Sequence, residues 1–132
     1  MPHQPKVLVV DDDREIISAF GDFLKKEHCT MLSAFSAEEA FDTVLHQPVN
    51  LVITDVRMKW QSGVTLLLKI RQTHPNLPVI VITGYPNLIP EKDLHMYGAN
   101  YYFLKPLDLA RMRKAVRKCL QDPLSSSDSQ WQ

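Results

Sequence analysis

The sequence predicts a three-layer α/β sandwich, with a parallel five-stranded sheet between two layers of five helices. Three observations carry that prediction. Five short apolar runs alternate with stretches whose apolar residues recur at helical spacing, and strands separated by helices are joined by crossovers and run parallel. The runs VLVV, LVIT and VIVIT lack polar alternation, which fits strands buried on both faces. A chain of 132 residues with 45% hydrophobic and 23% charged residues suits one self-sufficient globular domain rather than a disordered segment.

Taken in order, Lys6–Val10 is the first strand, and Ile16, Ile17, Phe20, Phe23 and Leu24 give the first helix its apolar face. Residues 29–35 read as the second strand. Ser36 with Glu39 three residues on forms a capping box, opening a helix with Ala37, Ala40, Phe41, Val44 and Leu45 on one side. Residues 51–54 make the third strand, and Val64, Leu67, Leu68 and Ile70 mark the helix after Gly63. Val79–Thr83 is the fourth strand. Pro86, Pro90 and Gly98 confine the next helix to a short one before the fifth strand, Tyr101–Leu104. A last helix over 107–120 carries Leu109, Met112, Ala115, Val116, Cys119 and Leu120 as its apolar stripe. The domain is expected over 1–121, with 122–132 a Ser-rich polar tail or the start of a linker.

Net charge is zero, 15 bases against 15 acids, so the total gives no argument for a polyelectrolyte partner. The distribution is uneven. Residues 1–55 hold ten acids against four bases, and residues 56–132 hold five acids against eleven bases. Such a split fits an acidic site in the first half and a contact face in the second. The basic stretch Arg111, Arg113, Lys114, Arg117 and Lys118 reads first as a solvated helix face complementing the helix dipole, then as a partner surface, and last as a DNA contact. Cys29 and Cys119 lack metal spacing and read as buried thiols of a reducing compartment. No run reaches the ~18 apolar residues of a membrane span. The short polar start is not expected to act as a signal peptide. A cytoplasmic location without membrane contact is therefore expected.

In open parallel sheets, ligands bind beyond the carboxyl ends of the strands. There stand Asp11, Asp12 and Asp13 after the first strand, Asp55 after the third, Thr83 at the end of the fourth and Lys105 after the fifth. Singly, Asp13 is a helix N-cap, Asp11 or Asp12 a turn residue, Lys105 a solvated cation and Thr83 a strand residue. Jointly, they bring several carboxylates, a hydroxyl and an ammonium to one sheet edge. Crowded carboxylates repel unless a cation neutralises them, and hard oxygen donors suit Mg²⁺ better than zinc. A metal on aspartates, a free carboxylate and a lysine together suit phosphoryl chemistry.

The motifs VLVVDDD, LVITDVRM with Gly63 eight residues past Asp55, VIVITG and GANYYFLKP resemble those of the receiver domain of two-component response regulators, the CheY-like family. The resemblance covers about residues 7–120 and implies the flavodoxin-like strand order 2-1-3-4-5. It implies that Asp55 is the phosphoacceptor, with Mg²⁺ held by Asp11, Asp12, Asp55 and the backbone carbonyl of Arg57. Lys105 takes the role of the lysine that pairs with Asp55 and then with a phosphoryl oxygen, ahead of a cis bond to Pro106. Thr83 is the switch hydroxyl and Tyr102 the switch aromatic, acting on the face of helix 4, strand 5 and helix 5. The implied partners are a sensor histidine kinase or histidine phosphotransfer protein and a downstream effector domain or protein. A dimer through that face is one arrangement the resemblance allows. It implies no nucleic-acid binding by this domain. Such a domain is a switch that assists its own phosphorylation and hydrolysis, not a turnover enzyme. Departures from the family pattern are Lys59, Trp60 and Gln61 after Met58, and bulky Arg57 and Tyr85 beside the site.

Three other readings compete. A phosphohydrolase of the haloacid-dehalogenase type needs a general-acid aspartate two residues after the nucleophile, where this chain has Arg57. A pseudo-receiver, a phosphorylation-independent interaction module, does not need the set Asp11, Asp12, Asp55, Thr83 and Lys105. A mononucleotide or flavin site lacks a Gly-rich phosphate loop, since the four glycines form no such pattern. The five histidines, His3, His28, His46, His74 and His95, are scattered and suggest no metal cluster.

Overall fold

The computed structural model describes residues 4–58, 61–84 and 89–121. Its elements are β1 (Lys6–Val10), α1 (Arg14–Lys26), β2 (Thr30–Ala34), α2 (Ala37–His46), β3 (Leu51–Asp55), β4 (Arg57–Met58), β5 (Gln61–Ser62), α3 (Gly63–Thr73), β6 (Val79–Thr83), α4 (Glu91–Met96), β7 (Tyr101–Leu104) and α5 (Leu109–Gln121). The main sheet is parallel, in the order β2-β1-β3-β6-β7, which is the expected 2-1-3-4-5. Among the described residues no helix is long and apolar enough to cross a membrane.

Strand alternation divides the core into two layers. Leu8, Val10, Val52, Val79 and Val81 point to one side, where α2, α3 and α4 cover them with Ala40, Val44, Leu66, Leu67, Ile70 and Leu94. Val7, Val9, Leu51, Ile53, Ile80 and Ile82 point to the other, under Phe20, Leu24, Met112, Val116 and Cys119 of α1 and α5. Every residue of β3 and β6 is buried, as continuous apolar runs require of central strands. Cys29 and Cys119 are both free and buried.

Caps fix the helix starts. The Asp13 carboxylate accepts from the Glu15 N–H at 2.9 Å, and Ser36 Oγ accepts from the Glu39 N–H at 3.1 Å. Glu39 reaches back to the Phe35 N–H at 2.6 Å, one residue before the position a capping box predicts. The last helix begins at Leu109 rather than 107 because Asp108 accepts from the N–H groups of Ala110 and Arg111 and so takes the cap. Three leucines expected on buried stripes are exposed instead: Leu45 at 49%, Leu68 at 43% and Leu109 at 52%. Leu66, outside the expected stripe, is buried. Periodicity locates the axis of an apolar stripe, whereas its edges depend on how closely neighbouring helices approach.

Two polar contacts lock the layers at the far end of the sheet from the strand carboxyl ends. Arg71 of α3 donates to the carbonyls of Gly98 and Leu77 and to Asn100 Oδ1, at 2.6–2.9 Å. Gly98, at φ +107, leaves room for that guanidinium where a Cβ would strike it. On the other side of the sheet, Glu27 after α1 accepts from Arg117 Nε at 2.7 Å and lies 3.2 Å from Arg113 Nε of α5. The hydrogen bond from Arg117, then the two positive charges, hold the Glu27 carboxyl below its usual value. A carboxyl depressed in the folded state stabilises fully above its unfolded value and loses that contribution as pH falls through the folded one. Glu27→Gln should therefore cost about 1 kcal/mol at neutral pH, with the difference from wild type shrinking as acid protonates the carboxyl. Urea denaturation of both proteins at several pH values measures it, and a difference constant with pH would contradict the ion-pair account.

Candidate functional site

The parallel strands bring their carboxyl ends to one edge, and there the polar residues meet. Asp11 is 1% exposed, Asp55 5% and Thr83 1%, although each carries a polar side chain in an otherwise apolar core. Lys105 reaches in from the end of β7. Its Nζ donates to Asp55 Oδ2 at 2.8 Å and to Asp11 Oδ2 at 3.3 Å. The remaining carboxylate oxygens are held by backbone: Asp11 Oδ1 accepts from the Asp13 N–H and Asp55 Oδ1 from the Arg57 N–H. Thr83 is placed beside Lys105 by the ladder, where the Lys105 N–H donates to the Thr83 carbonyl at 2.8 Å. The Lys105–Pro106 bond is cis.

The electrostatics are those of two acids sharing one base. Burial, reinforced by the negative charge of Asp55, pushes Asp11 up to about 6 against the pull of the Asp13 N–H and Lys105. Burial alone would lower the Lys105 ammonium, but the hydrogen bond and charge of Asp55, then of Asp11, hold it above its usual value. One ammonium does not neutralise two buried carboxylates, so the edge favours further positive charge.

The other predicted residues fall as follows. Asp12 is exposed at the same edge, directly after Asp11, while Asp13 is turned to its cap. Among the described residues, no group of three acidic, histidine or cysteine side chains is gathered tightly enough to hold a metal by itself. Asp11 and Asp55 meet at Lys105, and Asp12 stands next to Asp11 at the same edge. This donor set still fits Mg²⁺, which takes few carboxylates, accepts a carbonyl and retains several waters. Tyr102 is half-buried on the α4 side of β7, where burial and then the charge of Glu91 raise its hydroxyl. Lys59, Trp60, Tyr85 and Pro86 lie outside the described residues, as do residues 122–132.

Sequence reasoning did not anticipate the two-residue strands β4 and β5, which pair antiparallel through Arg57 with Ser62 and Met58 with Gln61. Strands this short show no hydrophobic period. The ribbon returns the chain so that α3 starts against the acceptor strand, with the Gly63 N–H on the Val56 carbonyl at 2.8 Å. A Cβ on Gly63 would fall on the Asp55 carbonyl oxygen and within 3.0 Å of Val56 Cα. The Thr54 hydroxyl donates to the same Asp55 carbonyl at 3.0 Å, so the backbone bearing the carboxylate is fixed from two sides. Gly63→Ala should destabilise the fold by roughly 3 kcal/mol, since the clash is with backbone rather than a yielding side chain. A urea midpoint unchanged from wild type would show that the ribbon can shift without cost.

A model of the response regulator receiver domain matches residues 7–117. The chain belongs to that family. It is 28% identical over 132 residues to the transcriptional regulatory protein GlrR of Escherichia coli K12, covering 99% of this chain but 30% of that relative's length. It is 30% identical over 122 residues to sporulation initiation phosphotransferase F of Bacillus subtilis 168, covering 92% of this chain and 97% of that protein. Among solved structures, TrrA from Thermotoga maritima, determined in complex with Mg²⁺ and BeF, superposes with a TM-score of 0.81 at 27% identity over 89% of this chain and all of that one. This CheY-like receiver domain is therefore a relative of phosphoacceptor switches of two-component systems, which work with histidine kinases and effector domains and generally bind Mg²⁺ at the phosphorylation site.

Proposed function

We propose that this receiver domain is a phosphorylation-operated switch with Asp55 as its acceptor. The observation that carries the reading is the pairing of two buried carboxylates, Asp11 and Asp55, with the single ammonium of Lys105 at the carboxyl edge of the sheet. The Arg57 N–H on Oδ1 and Lys105 on Oδ2 fix the plane of the Asp55 carboxylate. A carboxylate oxygen so oriented attacks the phosphorus of a phosphohistidine in line; the phosphorus–nitrogen bond breaks and the imidazole leaves with a proton from solvent. Lys105, already bound to Asp55, then holds a phosphoryl oxygen. Asp11, Asp12, Asp55 and the Arg57 carbonyl would hold Mg²⁺, which supplies further positive charge against the phosphoryl oxygens when bound.

Thr83 is the nearest hydroxyl on the neighbouring central strand, and its reorientation toward the phosphoryl group would free space for Tyr102 to move inward. That couples the site to the face made by α4, β7 and α5, which contacts the effector. The phosphodonor is a sensor histidine kinase or phosphotransfer protein, and the setting is cytoplasmic. The receiver unit spans 1–121, with 122–132 as tail or linker. The alternative, a pseudo-receiver that binds partners without phosphate, is tested directly. Incubation with a small phosphodonor and Mg²⁺ should add one phosphoryl group by intact mass. A wild-type protein that takes none, from small donor or kinase, leaves the pseudo-receiver reading.

A further inference from the structure

We propose that the outer edge of β2 takes an extended basic segment of another protein as an added strand, beside an acidic groove of α2. β2 is a terminal strand of the sheet, and among the described residues no strand pairs with its outer edge. The ladder decides which groups face outward. The Thr30 N–H donates to the Pro5 carbonyl at 2.9 Å, and the Ala34 carbonyl accepts from the Asp11 N–H at 3.1 Å. Successive residues of a parallel strand direct their backbone groups to alternate sides, so Thr30, Leu32 and Ala34 bond toward β1. Met31 and Ser33 turn their N–H and C=O groups away from it. The strand, TMLSA, carries neither charge nor proline, the devices that blunt an edge against pairing.

The groove meets this edge at its end. It encloses about 450 Å³ and is lined by Ser36, Glu38, Glu39, Phe41, Asp42 and Leu45. Glu39 joins the two features, because its Oε1 accepts from the Phe35 N–H, the next outward group after Ser33, at 2.6 Å. Against the three acids stand the Lys69 ammonium, 5.6 Å from the Phe41 centroid, and the His46 ring, 3.3 Å from Asp42. The α2 side of the edge therefore keeps an acidic balance. The α1 side differs. Met31 points there toward Gly21, which offers no side chain, and the Arg14 guanidinium lies 4.5 Å from the Phe35 centroid. An added strand projects alternate residues to either side. Lysine or arginine fits at the positions facing α2, and uncharged residues at those facing α1. A second copy paired two-fold through β2 would instead set the acids of one α2 against those of the other.

The inference uses no group of the phosphoacceptor site, so it stands or falls without phosphate. The probe is a fluorescein-labelled peptide alternating lysine with valine, read by anisotropy against the unphosphorylated full chain at physiological salt. Saturable binding is expected. Glu38→Gln/Asp42→Asn should weaken it at least about tenfold, and Glu91→Gln/Asp93→Asn, the same change of charge on α4, by less than about twofold. Amide exchange followed by NMR reads the mode of binding. At saturating peptide the Met31 and Ser33 N–H groups should slow more than that of Leu32, which is already bonded to β1. No binding, equal loss in the two variants, or Met31 and Ser33 amides that do not slow in the complex would each overturn the proposal. So would a dimer by sedimentation that the peptide fails to dissociate.

Discussion

Asp55→Ala is expected to abolish phosphoryl uptake. Wild-type protein incubated with a small phosphodonor and Mg²⁺ should gain one phosphoryl group, and the variant should gain none over the same time. The expectation rests on geometry: Asp55 is the one carboxylate at the sheet edge fixed both by the Arg57 N–H and, at 2.8 Å, by the Lys105 ammonium. Asp11 is held less closely, at 3.3 Å from the same ammonium, and burial raises it to about 6. The Asp12 side chain is exposed to solvent. A loss of at least about a hundredfold corresponds to ~2.7 kcal/mol of barrier. Removing Asp55 also removes a buried negative charge next to Asp11, so the variant should stay folded in urea titration. Labelling that persists in the folded variant would move the acceptor elsewhere.

The second large effect is loss of uptake without a divalent cation. Asp11 and Asp55 are almost wholly buried and share one ammonium, and a phosphoryl group brings more negative charge to the same edge. Chelator in excess should stop labelling, and Mg²⁺ added back should restore it. Asp12→Ala should slow labelling by about a hundredfold at fixed Mg²⁺, again ~2.7 kcal/mol. The Asp12 side chain is exposed, so that substitution tests metal binding with little effect on folding. Raising Mg²⁺ should recover part of the rate in Asp12→Ala, whereas a purely structural defect would not respond. Full labelling under chelator would show that Lys105 alone carries the charge.

The fold was largely legible because its signals are local. Uninterrupted apolar runs mark β1, β3 and β6, and the caps Asp13 and Ser36 stand where the sequence places them. The candidate site was legible for a related reason, since a parallel sheet sends each strand's next residue to the same edge. The misses were of another kind. The ribbon of β4 and β5 is too short for a period, and Leu45 and Leu109 belong to stripes whose edges no local rule sets. Arg71 has no acidic partner close in sequence, and the carbonyls it serves lie up to 27 residues away.

By itself, then, the sequence determined the alternation of elements, the parallel sheet and the set of polar residues at its carboxyl edge, because each follows from chain-local periodicity and from crossover geometry. Only the tertiary structure decided which of those residues touch. It brought Asp11 and Asp55 to Lys105 inside the fold and left the Asp12 side chain exposed to solvent. It turned Arg113 and Arg117 to Glu27 and left Arg111, Lys114 and Lys118 along β7. Those choices depend on contacts between residues 50 to 94 positions apart, where side-chain reach and burial, not sequence neighbours, set the partner.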